Sequence, residues 1–446
     1  MIVLKFGGSS VADRGQIEKV LGIVRAQRDA RPLVVTSAHK GITNALIAAA
    51  ERAVAGNADA KPVTRKQLAI AESLGCSKEI LIPLFEELRS MLRGLKLVGE
   101  LSPRSLDFIS SFGERMSARC IADFFTREGL PAQAHDVWDL GFITDSNFGR
   151  ARPTEGFAGR VREAIDALDP SEVPIITGFI GKDEAGNVTT VGRNGSDLTA
   201  SLLGAALAAD EVQIWSDTDG VLTGDPSVVA GALNIPHMRF DEAAELAYFG
   251  SRVLHPSTLI PAVEAEIPVR VLNTNRPDHP GTVITRDPPP TKRAATSIAY
   301  KEGQSVLTLT STKMFGRSGF LARFFSTIAE HSVVVDMVST SEISVSVTSD
   351  DRAGLERAAA DLARFGQVDL AHERAILVVV GRELGERPGH GANILDAMRK
   401  AEVNVEMLSH ARGSINITLL VESTDIKKAV PVLHEMLFER GAVADD

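Results

Sequence analysis

The sequence predicts an α/β domain whose mainly parallel sheet is covered on both faces, followed by two ferredoxin-like α+β repeats. Three observations support this prediction. Short apolar runs alternate with amphipathic helical segments up to about residue 285, a proline run interrupts the chain at 287–290, and a pattern of about 70 residues then occurs twice. We therefore expect a large domain at 1–290 and two smaller domains at 300–371 and 372–446.

The first domain begins with the continuously apolar run Ile2–Phe6, which is typical of a central parallel strand. A glycine turn follows, and Ile17, Val20 and Val24 then recur at helical spacing. Further strands are predicted at 33–37, 173–179, 212–216 and 269–272. Residues 63–106 are rich in helical patterns, and we expect them to fold over one edge of the sheet.

The two repeats lie beyond Pro288-Pro289-Pro290, which can continue neither a helix nor an internal strand. In the first repeat, strands are predicted at 304–311, 333–338 and 343–348, with helices through Phe320 and at 355–365. The order recurs at 376–380, 394–400, 403–408 and 415–421, so each repeat reads as a βαββαβ unit. The second repeat lacks room for its last strand, and we expect another segment to complete that sheet.

Composition and charge exclude several classes of protein. The chain has 446 residues, a formal net charge of −10 and 44% hydrophobic residues, which argues against nucleic acid or anionic membrane as a main partner. Cys76 and Cys120 are too few and too far apart for a disulfide framework or a zinc site. The apolar N-terminus is short and interrupted by Lys5, and no apolar run approaches a membrane span of about 20 residues. We therefore expect a cytoplasmic protein.

A glycine turn lies where the first predicted strand meets the first predicted helix. Gly7, Gly8 and Ser9 let the backbone approach phosphate oxygens, and Lys5 adds a positive charge. The spacing is not that of a Walker motif. Such a turn can equally be structural, so on its own it does not identify a nucleotide site.

A second glycine-containing loop precedes the predicted helix at 198–207. It reads Gly192-Arg193-Asn194-Gly195-Ser196-Asp197, which is another candidate anion-binding helix start. Asp197 either caps that helix or takes part in a site. Arg193 carries a planar fork that suits a carboxylate.

Two charged segments complete the candidate chemistry. Glu114 and Arg115 interrupt an apolar stretch and could be only an ion pair on a helix surface. The acidic loop 216–226 follows a predicted strand and either lines a nucleotide site or is a solvated connection. Asp219 and Asp225 do not have the spacing of a calcium-binding EF-hand.

In order along the chain, these segments resemble the motifs of aspartate kinases. The matching segments are residues 5–11, 41–44, 112–114, 192–197, 215–217 and 253–256. The C-terminal repeats are similar to that family's tandem ACT domains, and the strongest likeness is to the single-function, lysine-sensitive bacterial branch. No dehydrogenase-like segment follows the repeats, so we do not expect a fused bifunctional enzyme. The resemblance implies an amino-acid-kinase-type fold. It also implies ATP-dependent phosphorylation of L-aspartate to 4-phospho-L-aspartate, the first step towards lysine, threonine, methionine and diaminopimelate.

The resemblance also implies roles for individual residues. Lys5 is expected to contact the transferring phosphoryl group, with Asp197 holding Lys5 or the metal–phosphate array in position. Arg193 is expected to pair with the α-carboxylate of aspartate and Glu114 with its ammonium group. The other implied substrate-binding residues are Ser37, Thr43, Asn194, Gly195 and Ser196. The implied ATP-binding residues are Lys5, Gly7, Gly8, Ser9, Ser216, Asp217, Leu222, Asp225, Ser227, Arg252 and Val253.

Magnesium is expected with ATP from phosphate chemistry, and no protein metal site is predicted. Because the β-carboxylate of aspartate is ionised near pH 7, no general base is needed to activate it. Leu222, Ser227 and Arg252 depart from the residues usual in the family, which places individual adenosine contacts in doubt. Lys40 stands where smaller residues are usual, and the sequence assigns it no role.

The first repeat resembles the effector pocket of lysine-inhibited relatives. The implied effector residues are Met314, Arg317, Phe320, Leu321, Val335, Asp336, Ser341 and Glu342. Asp336 or Glu342 would suit the ammonium groups of L-lysine, whereas Arg317 stands where these relatives tend to have a small polar residue. The apolar members could equally be core. The resemblance further implies a homodimer associated through the ACT repeats, or a tetramer.

Two alternatives remain open at this point. Another amino-acid kinase of the same fold could act on glutamate or acetylglutamate, since glutamate differs from aspartate by only one methylene group. A catalytically silent ACT-type sensor is the second alternative. The intact set Lys5, Glu114, Arg193 and Asp197 argues against a sensor, which would have no use for phosphate-binding residues.

Overall fold

A computed structural model describes residues 1–250, 256–291, 293–385 and 388–439. Their contacts divide the chain into two compact units. The first unit holds Met1–Val221, Pro236–Phe240 and the described residues from 256 to Pro288. The second holds Leu222–Ile235, the described residues from Asp241 to 250, and those from Pro289 to 439. Among the described helices, none combines the length and the apolar character that crossing a membrane requires.

The first unit is built on an eight-stranded sheet with a three-stranded sheet beside it. The strand order is β3-β5-β2-β1-β8-β10-β11-β9 in the larger sheet and β4-β6-β7 in the smaller. The strands are β1 Ile2–Phe6, β2 Pro32–Thr36, β3 Ala132–His135, β4 Ile143–Thr144, β5 Val173–Thr177, β6 Ile180–Asp183, β7 Val188–Thr190, β8 Glu211–Ser216, β9 His237–Arg239, β10 Val269–Asn273 and β11 Thr282–Thr285. Strands β3 to β10 in this order pair in parallel, which confirms the predicted mainly parallel sheet.

Helices cover both faces of the large sheet. Those of the first unit are α1 Arg14–Ala26, α2 Ile42–Val54, α3 Lys61–Ser73, α4 Ile82–Val98, α5 Pro103–Arg127, α6 Phe157–Asp166, α7 Gly195–Leu207 and α9 Pro256–Glu264, whereas α8 Phe240–Tyr248 lies almost wholly in the second unit. Ile2, Leu4 and Phe6 pack into a core cluster with α1 to α5. Side chains alternate along a strand, so Lys5 points to the opposite face, where α7 contacts β1.

The second unit contains one six-stranded antiparallel sheet in the order β13-β14-β12-β15-β17-β16. Its strands are β12 Ser297–Thr310, β13 Val338–Thr340, β14 Ser344–Ser349, β15 Gln367–Val380, β16 Met407–Ser409 and β17 Asn416–Glu422. Its helices after α8 are α10 Phe320–Glu330, α11 Arg352–Leu362, α12 His390–Lys400 and α13 Ile426–His434. Two separate apolar clusters lie under these helices, one for each predicted repeat.

The strand that completes the second repeat comes from before the first repeat. Residues 297–301 of β12 pair antiparallel with 376–380 of β15, whereas residues 306–310 of β12 pair with 367–371. The pairing shifts register between Lys301 and Val306, where the long strand passes from one repeat to the other. The expectation that another segment completes the sheet is therefore confirmed, and the segment is 297–301.

Two predicted strands begin too early in the sequence. Strands were predicted at 333–338 and 403–408. The structure has only three-residue strands near these positions, β13 and β16, which start at Val338 and Met407. Ser332 and Glu402, just after the preceding helices, adopt φ values of 57° and 56°. The chain therefore turns in the left-handed region first and joins the sheet edge several residues later.

Candidate active site

The glycine turn after β1 lies against the loop that follows β2. Gly7 N–H donates to the Trp215 carbonyl at 3.3 Å, and Ser10 N–H donates to the Gly7 carbonyl at 2.9 Å. A Cβ atom added to Gly8 would stand 3.1 Å from the Ala38 carbonyl oxygen. The close approach of these two loops is thus one reason for glycine at this position.

A buried ion pair joins β1 to the start of α7. Lys5 Nζ lies 2.5 Å from Asp197 Oδ1, with the two side chains 11% and 8% exposed. Asn194, at φ 51°, is the residue that precedes the helix, and Asp197 lies within its first turn. Asp197 therefore does not cap the helix. It fixes the Lys5 ammonium beside a helix N-terminus, where anions are favoured.

Glu114 is a buried carboxylate with one oxygen left open. Its Oε1 accepts from Ala38 N–H at 3.1 Å, while Oε2 has no hydrogen-bond partner among the described residues. Burial raises the pKa of Glu114 to about 8. The alternative of a surface ion pair with Arg115 is wrong, because Arg115 instead contacts Glu87 at 3.0 Å and Asp136 at 3.6 Å.

One cavity of about 460 Å³ brings these groups together. It is lined by the two catalytic candidates and by every residue assigned to the substrate by resemblance: Lys5, Ser37, Thr43, Glu114, Arg193, Asn194, Gly195, Ser196 and Asp197. Arg193 is exposed, and its side chain forms no ion pair with any described residue. The cavity therefore holds an unpartnered carboxyl group, an unpaired guanidinium group and a paired lysine within a single space.

Asp107 also lines this cavity, and the sequence reasoning missed it. Its carboxylate accepts from Gly149 N–H, Thr190 N–H and Thr190 Oγ1–H, each at 2.8 Å. Desolvation raises the pKa of Asp107, and these hydrogen bonds oppose the rise. Asp107 thus ties α5 to the end of β7, just before the loop that carries Arg193. The sequence did carry one indication of such a role, because Asp107 is an acidic residue on the apolar side of a helical pattern.

The residues assigned to the adenosine fall into three groups. Ser216 ends β8 in the first unit and Asp217 follows it, and Ser216 Oγ accepts from Thr218 N–H at 3.3 Å. Leu222, Asp225 and Ser227 belong to the second unit, and Asp225 Oδ1 accepts from Ser227 N–H at 2.8 Å. Arg252 and Val253 lie outside the described residues.

The structure separates the predicted effector residues within the second unit. Asp336 has a side chain 2% exposed, and it accepts from Tyr248 O–H at 2.6 Å and from Lys301 Nζ at 2.8 Å. Arg317 and Phe320 instead line a cavity that Asp336 does not reach. The remaining members are half-buried (Met314 and Val335) or exposed (Leu321, Ser341 and Glu342).

Comparison with known proteins connects this geometry to a family. Residues 1–273 match the amino acid kinase family, and residues 307–362 and 377–437 match the ACT domain. The chain is 36% identical over 459 residues to the lysine-sensitive aspartokinase 3 of Escherichia coli strain K12, covering 98% of this chain and 99% of that protein. The chain belongs to the aspartokinases.

Other aspartokinases agree in sequence and in fold. Aspartokinase 1, chloroplastic, of Arabidopsis thaliana is 37% identical over 466 residues, covering 99% of this chain and 81% of that protein. The crystal structure of E. coli aspartokinase III in complex with aspartate and ADP, in the R-state, superposes with a TM-score of 0.81 at 33% identity, covering 98% of this chain and 100% of that chain. Its complex with lysine and aspartate, in the T-state, gives a TM-score of 0.77. The predicted family and fold class are confirmed.

Proposed function

We propose that the chain transfers the γ-phosphoryl group of ATP to the β-carboxylate of L-aspartate, giving 4-phospho-L-aspartate and ADP. The observation that carries this proposal is the single cavity in which Glu114 and Arg193 face the same space as the Lys5–Asp197 pair. One end of the cavity offers partners for the two charges of an amino acid. The other offers a cation for a phosphoryl group.

The aspartate end of the cavity has complementary charges. Glu114 Oε2 is buried and open, and an ammonium group would supply the hydrogen bond that a buried carboxylate needs. The exposed Arg193 fork suits a bidentate contact with the α-carboxylate. Ser37 and Thr43 line the same cavity with hydroxyl groups and are assigned to the reacting end of the substrate.

The phosphoryl end of the cavity depends on preorganised positive charge. Lys5 is held by Asp197 at 2.5 Å, so the ammonium group is in place before substrate binds. Gly7 N–H already donates to the Trp215 carbonyl, so the N–H groups of Gly8 and Ser9 and the N-terminus of α7 are the donors left for phosphate oxygens. Mg²⁺ bound to the ATP phosphates would supply further positive charge and would reduce their repulsion of the attacking carboxylate.

The reaction needs no general base. An oxygen of the ionised β-carboxylate attacks the γ-phosphorus, and the bond from that phosphorus to the bridging oxygen of ADP breaks. Positioning and charge neutralisation then supply most of the acceleration, as in other phosphoryl transfers. This agrees with the catalytic candidates here, which are Lys5 and Asp197 and include no histidine.

A coupled ADP-release assay with L-aspartate, L-glutamate and N-acetyl-L-glutamate tests the proposal. Release that depends on aspartate, with the other two substrates far slower, is the expected result. Preference for glutamate or acetylglutamate would reassign the substrate. No ATP turnover with any of the three, combined with retained binding of lysine, would favour a silent sensor.

We also propose that L-lysine inhibits the enzyme through the first repeat. Sequence identity to the lysine-sensitive relative supports this regulation, and so does the chemistry around Asp336. In the free protein the Lys301 ammonium group already contacts Asp336, and it also lies 2.9 Å from Asp350. An effector ammonium group could therefore replace Lys301 at Asp336 while Lys301 keeps its second carboxylate.

A homodimer through the ACT repeats completes the proposal, in a cytoplasmic location. The edge strand β13 is exposed along its whole length. Close to β13 in sequence, Val334 and Ile343 are 67% and 41% exposed, and Phe315, which precedes α10, is 69% exposed. An open strand edge with apolar side chains is a surface that proteins usually cover. Sedimentation of the full chain tests the dimer, and a monomer at micromolar concentration would contradict it.

A further inference from the structure

The two cysteines of the chain meet in the interior of the first unit. Cys76 follows α3 and is 7% exposed, whereas Cys120 lies on α5 and is fully buried. The Cys76 thiol donates to the Cys120 carbonyl oxygen at 3.3 Å, and the two thiols also share a hydrogen bond. Both are free thiols. Because the sequence contains only these two cysteines, any disulfide within one chain must join them.

A buried histidine faces the Cys120 thiol. His39 Nδ1 lies 2.6 Å from the Val11 carbonyl oxygen, and Nδ1 must carry the hydrogen because a carbonyl only accepts. Nε2 of the neutral ring is therefore a proton acceptor. It is buried and has no well-directed hydrogen bond from any described residue. The Cys120 thiol is close enough to interact with it, since His39 lowers the pKa of that thiol. A thiol beside a base that a third group orients is the arrangement of reactive cysteines.

The surroundings favour the thiolate form of Cys120 over that of Cys76. The hydrogen bond from Cys76 lowers the pKa of Cys120 most, and His39 and Gln67 lower it further, against the opposing effect of burial. Gln67 Nε2 donates to Cys120 Sγ at 3.5 Å. The hydrogen bond with Cys120 and burial raise the pKa of Cys76 in turn. Cys120 is thus the nucleophile of the pair, and Cys76 is the thiol that keeps its proton.

The cysteine pair lies behind the wall of the substrate cavity. Cys120 shares α5 with Glu114. His39 follows Ala38, whose N–H donates to Glu114 Oε1 at 3.1 Å. The Val11 carbonyl that holds His39 belongs to the chain leaving the glycine turn. His39 therefore connects the Cys120 thiol to the loop that holds Glu114.

We propose that Cys76 and Cys120 are a redox-modification site, at which hydrogen peroxide oxidises the two thiols to a disulfide that weakens aspartate binding. The Cys120 thiolate attacks one peroxide oxygen, the O–O bond breaks, and the departing hydroxide takes the proton that His39 received from the thiol. This step leaves a sulfenic acid on Cys120. The Cys76 sulfur then attacks the Cys120 sulfur, and its proton joins the departing hydroxide as the S–S bond forms. Two thiols and one peroxide thus give one disulfide and two water molecules, with both sulfur atoms oxidised and both peroxide oxygens reduced.

Disulfide formation removes the acidic partner of His39. A disulfide has no hydrogen to donate and an S–S distance of only about 2.0 Å. His39 Nε2 would then stay unpaired in the interior, which disfavours the present position of residues 37–41. These residues include Ser37 and the Ala38 N–H that holds Glu114. The weaker binding of aspartate rests on the proposed function, whereas the oxidation does not. In a reducing compartment such a disulfide is transient and serves regulation.

Peroxide treatment of the full chain, followed by a count of free thiols after denaturation, tests the site. We expect two thiols in the reduced chain and none in the oxidised chain, whose intact mass is lower by two hydrogen atoms. Dithiothreitol should restore both thiols, which separates this change from methionine oxidation. Calorimetry should show aspartate affinity falling several-fold on oxidation and recovering on reduction. Peroxide should change neither the affinity nor the mass in this way in Cys120→Ser.

The role of His39 has its own signature in the pH dependence of the oxidation rate. Below its pKa of about 8.5, an ordinary thiol reacts nearly tenfold faster per pH unit, because only the thiolate attacks. The wild-type rate should change much less between about pH 6 and pH 8, whereas His39→Gln should follow the ordinary profile and be at least about tenfold slower at pH 7. His237→Gln, which alters an exposed histidine on β9, is the matched control. The other titratable group facing the pair is Asp123, which pairs with Arg127 at 2.8 Å.

Several results would overturn the inference. Two remaining thiols in the wild-type chain, under conditions that fully oxidise glutathione, would exclude the site, and this measurement needs no variant to fold. A disulfide that leaves aspartate affinity unchanged would remove the regulation. Identical pH profiles for wild type and His39→Gln would remove His39 as the base. If the reduced chain formed the disulfide but never turned over aspartate, the catalytic proposal would fail and the oxidation site would stand.

Discussion

The raised pKa of Glu114 makes aspartate binding dependent on pH in a predictable direction. The free protein holds this carboxyl group buried, with a pKa of about 8, so at pH 7 about nine-tenths of the molecules carry a proton there. An ammonium group binds the ionised carboxylate, not the acid. Binding of aspartate should therefore expel that proton, and about 0.9 protons should be released per aspartate bound at pH 7.

The same linkage fixes how affinity changes with pH. The affinity for aspartate should rise about ninefold from pH 6 to pH 7 and about fivefold from pH 7 to pH 8, and above pH 8 the rise should level off. Proton release is measured by calorimetry in buffers of different ionisation enthalpy. Glu114→Gln should abolish both the release and the pH dependence, besides weakening binding. Glu87→Gln, which alters the half-exposed carboxylate that pairs with Arg115, is the matched control.

A refutation would be clear. If wild-type protein bound aspartate at pH 7 without releasing protons, either Glu114 would be ionised before binding or the substrate ammonium group would lie elsewhere. Equal proton release from wild type and Glu114→Gln would assign the titration to another group. Either result would end the argument that an open, buried Glu114 is the ammonium site.

Further predictions test the other parts of the account. Glu114→Gln should raise the free protein's melting temperature at pH 9 but not at pH 4. A carboxyl pKa raised from 4.5 to about 8 lowers the free energy of unfolding as pH rises through that range, by on the order of 3–5 kcal/mol above pH 8. An equal change in melting temperature at both pH values would contradict this. Lys5→Ala should lower kcat by about 10²-fold or more, with little change in the KM for aspartate, because its charge acts mainly in the transition state, and near-normal kcat would remove Lys5 from the mechanism. Arg193→Ala should weaken aspartate binding by about 1.5–3 kcal/mol, as expected for loss of a hydrogen bond between charged groups, while ATP binding survives, and the opposite pattern would reverse the assignment. Asp336→Asn should relieve inhibition by lysine; unchanged inhibition curves would move the effector elsewhere, with Glu406 of the second repeat next in line.

Much of the fold could be predicted because its elements leave local patterns. β1 is a fully buried parallel strand, and its predicted bounds Ile2–Phe6 are those of the structure. The repeats were recognisable because each is an independent unit of strands and amphipathic helices with its own apolar cluster. The sequence could not show that β12 pairs with strands of both repeats. A strand placed ahead of the first repeat completes the second, and only pairing across the sheet reveals it.

The candidate site divides in the same way. Lys5, Asp197, Glu114 and Arg193 stand out by chemistry and by resemblance, and the structure brings them to one cavity. Asp107 was not predicted, because its role depends on α5 packing against the end of β7, which is distant in the sequence. The hydrogen bonds from Tyr248 and Lys301 to Asp336 could likewise not be predicted, because the three residues come from distant segments of the sequence.

The most direct test of the central claim is to trap the product. An acyl phosphate reacts with hydroxylamine to form a hydroxamate, whereas free aspartate does not react under the same conditions. The account predicts that the chain, given L-aspartate, MgATP and hydroxylamine, forms aspartate β-hydroxamate in step with ADP release, and that Lys5→Ala forms almost none. Release of ADP without any hydroxamate would contradict phosphorylation of the β-carboxylate.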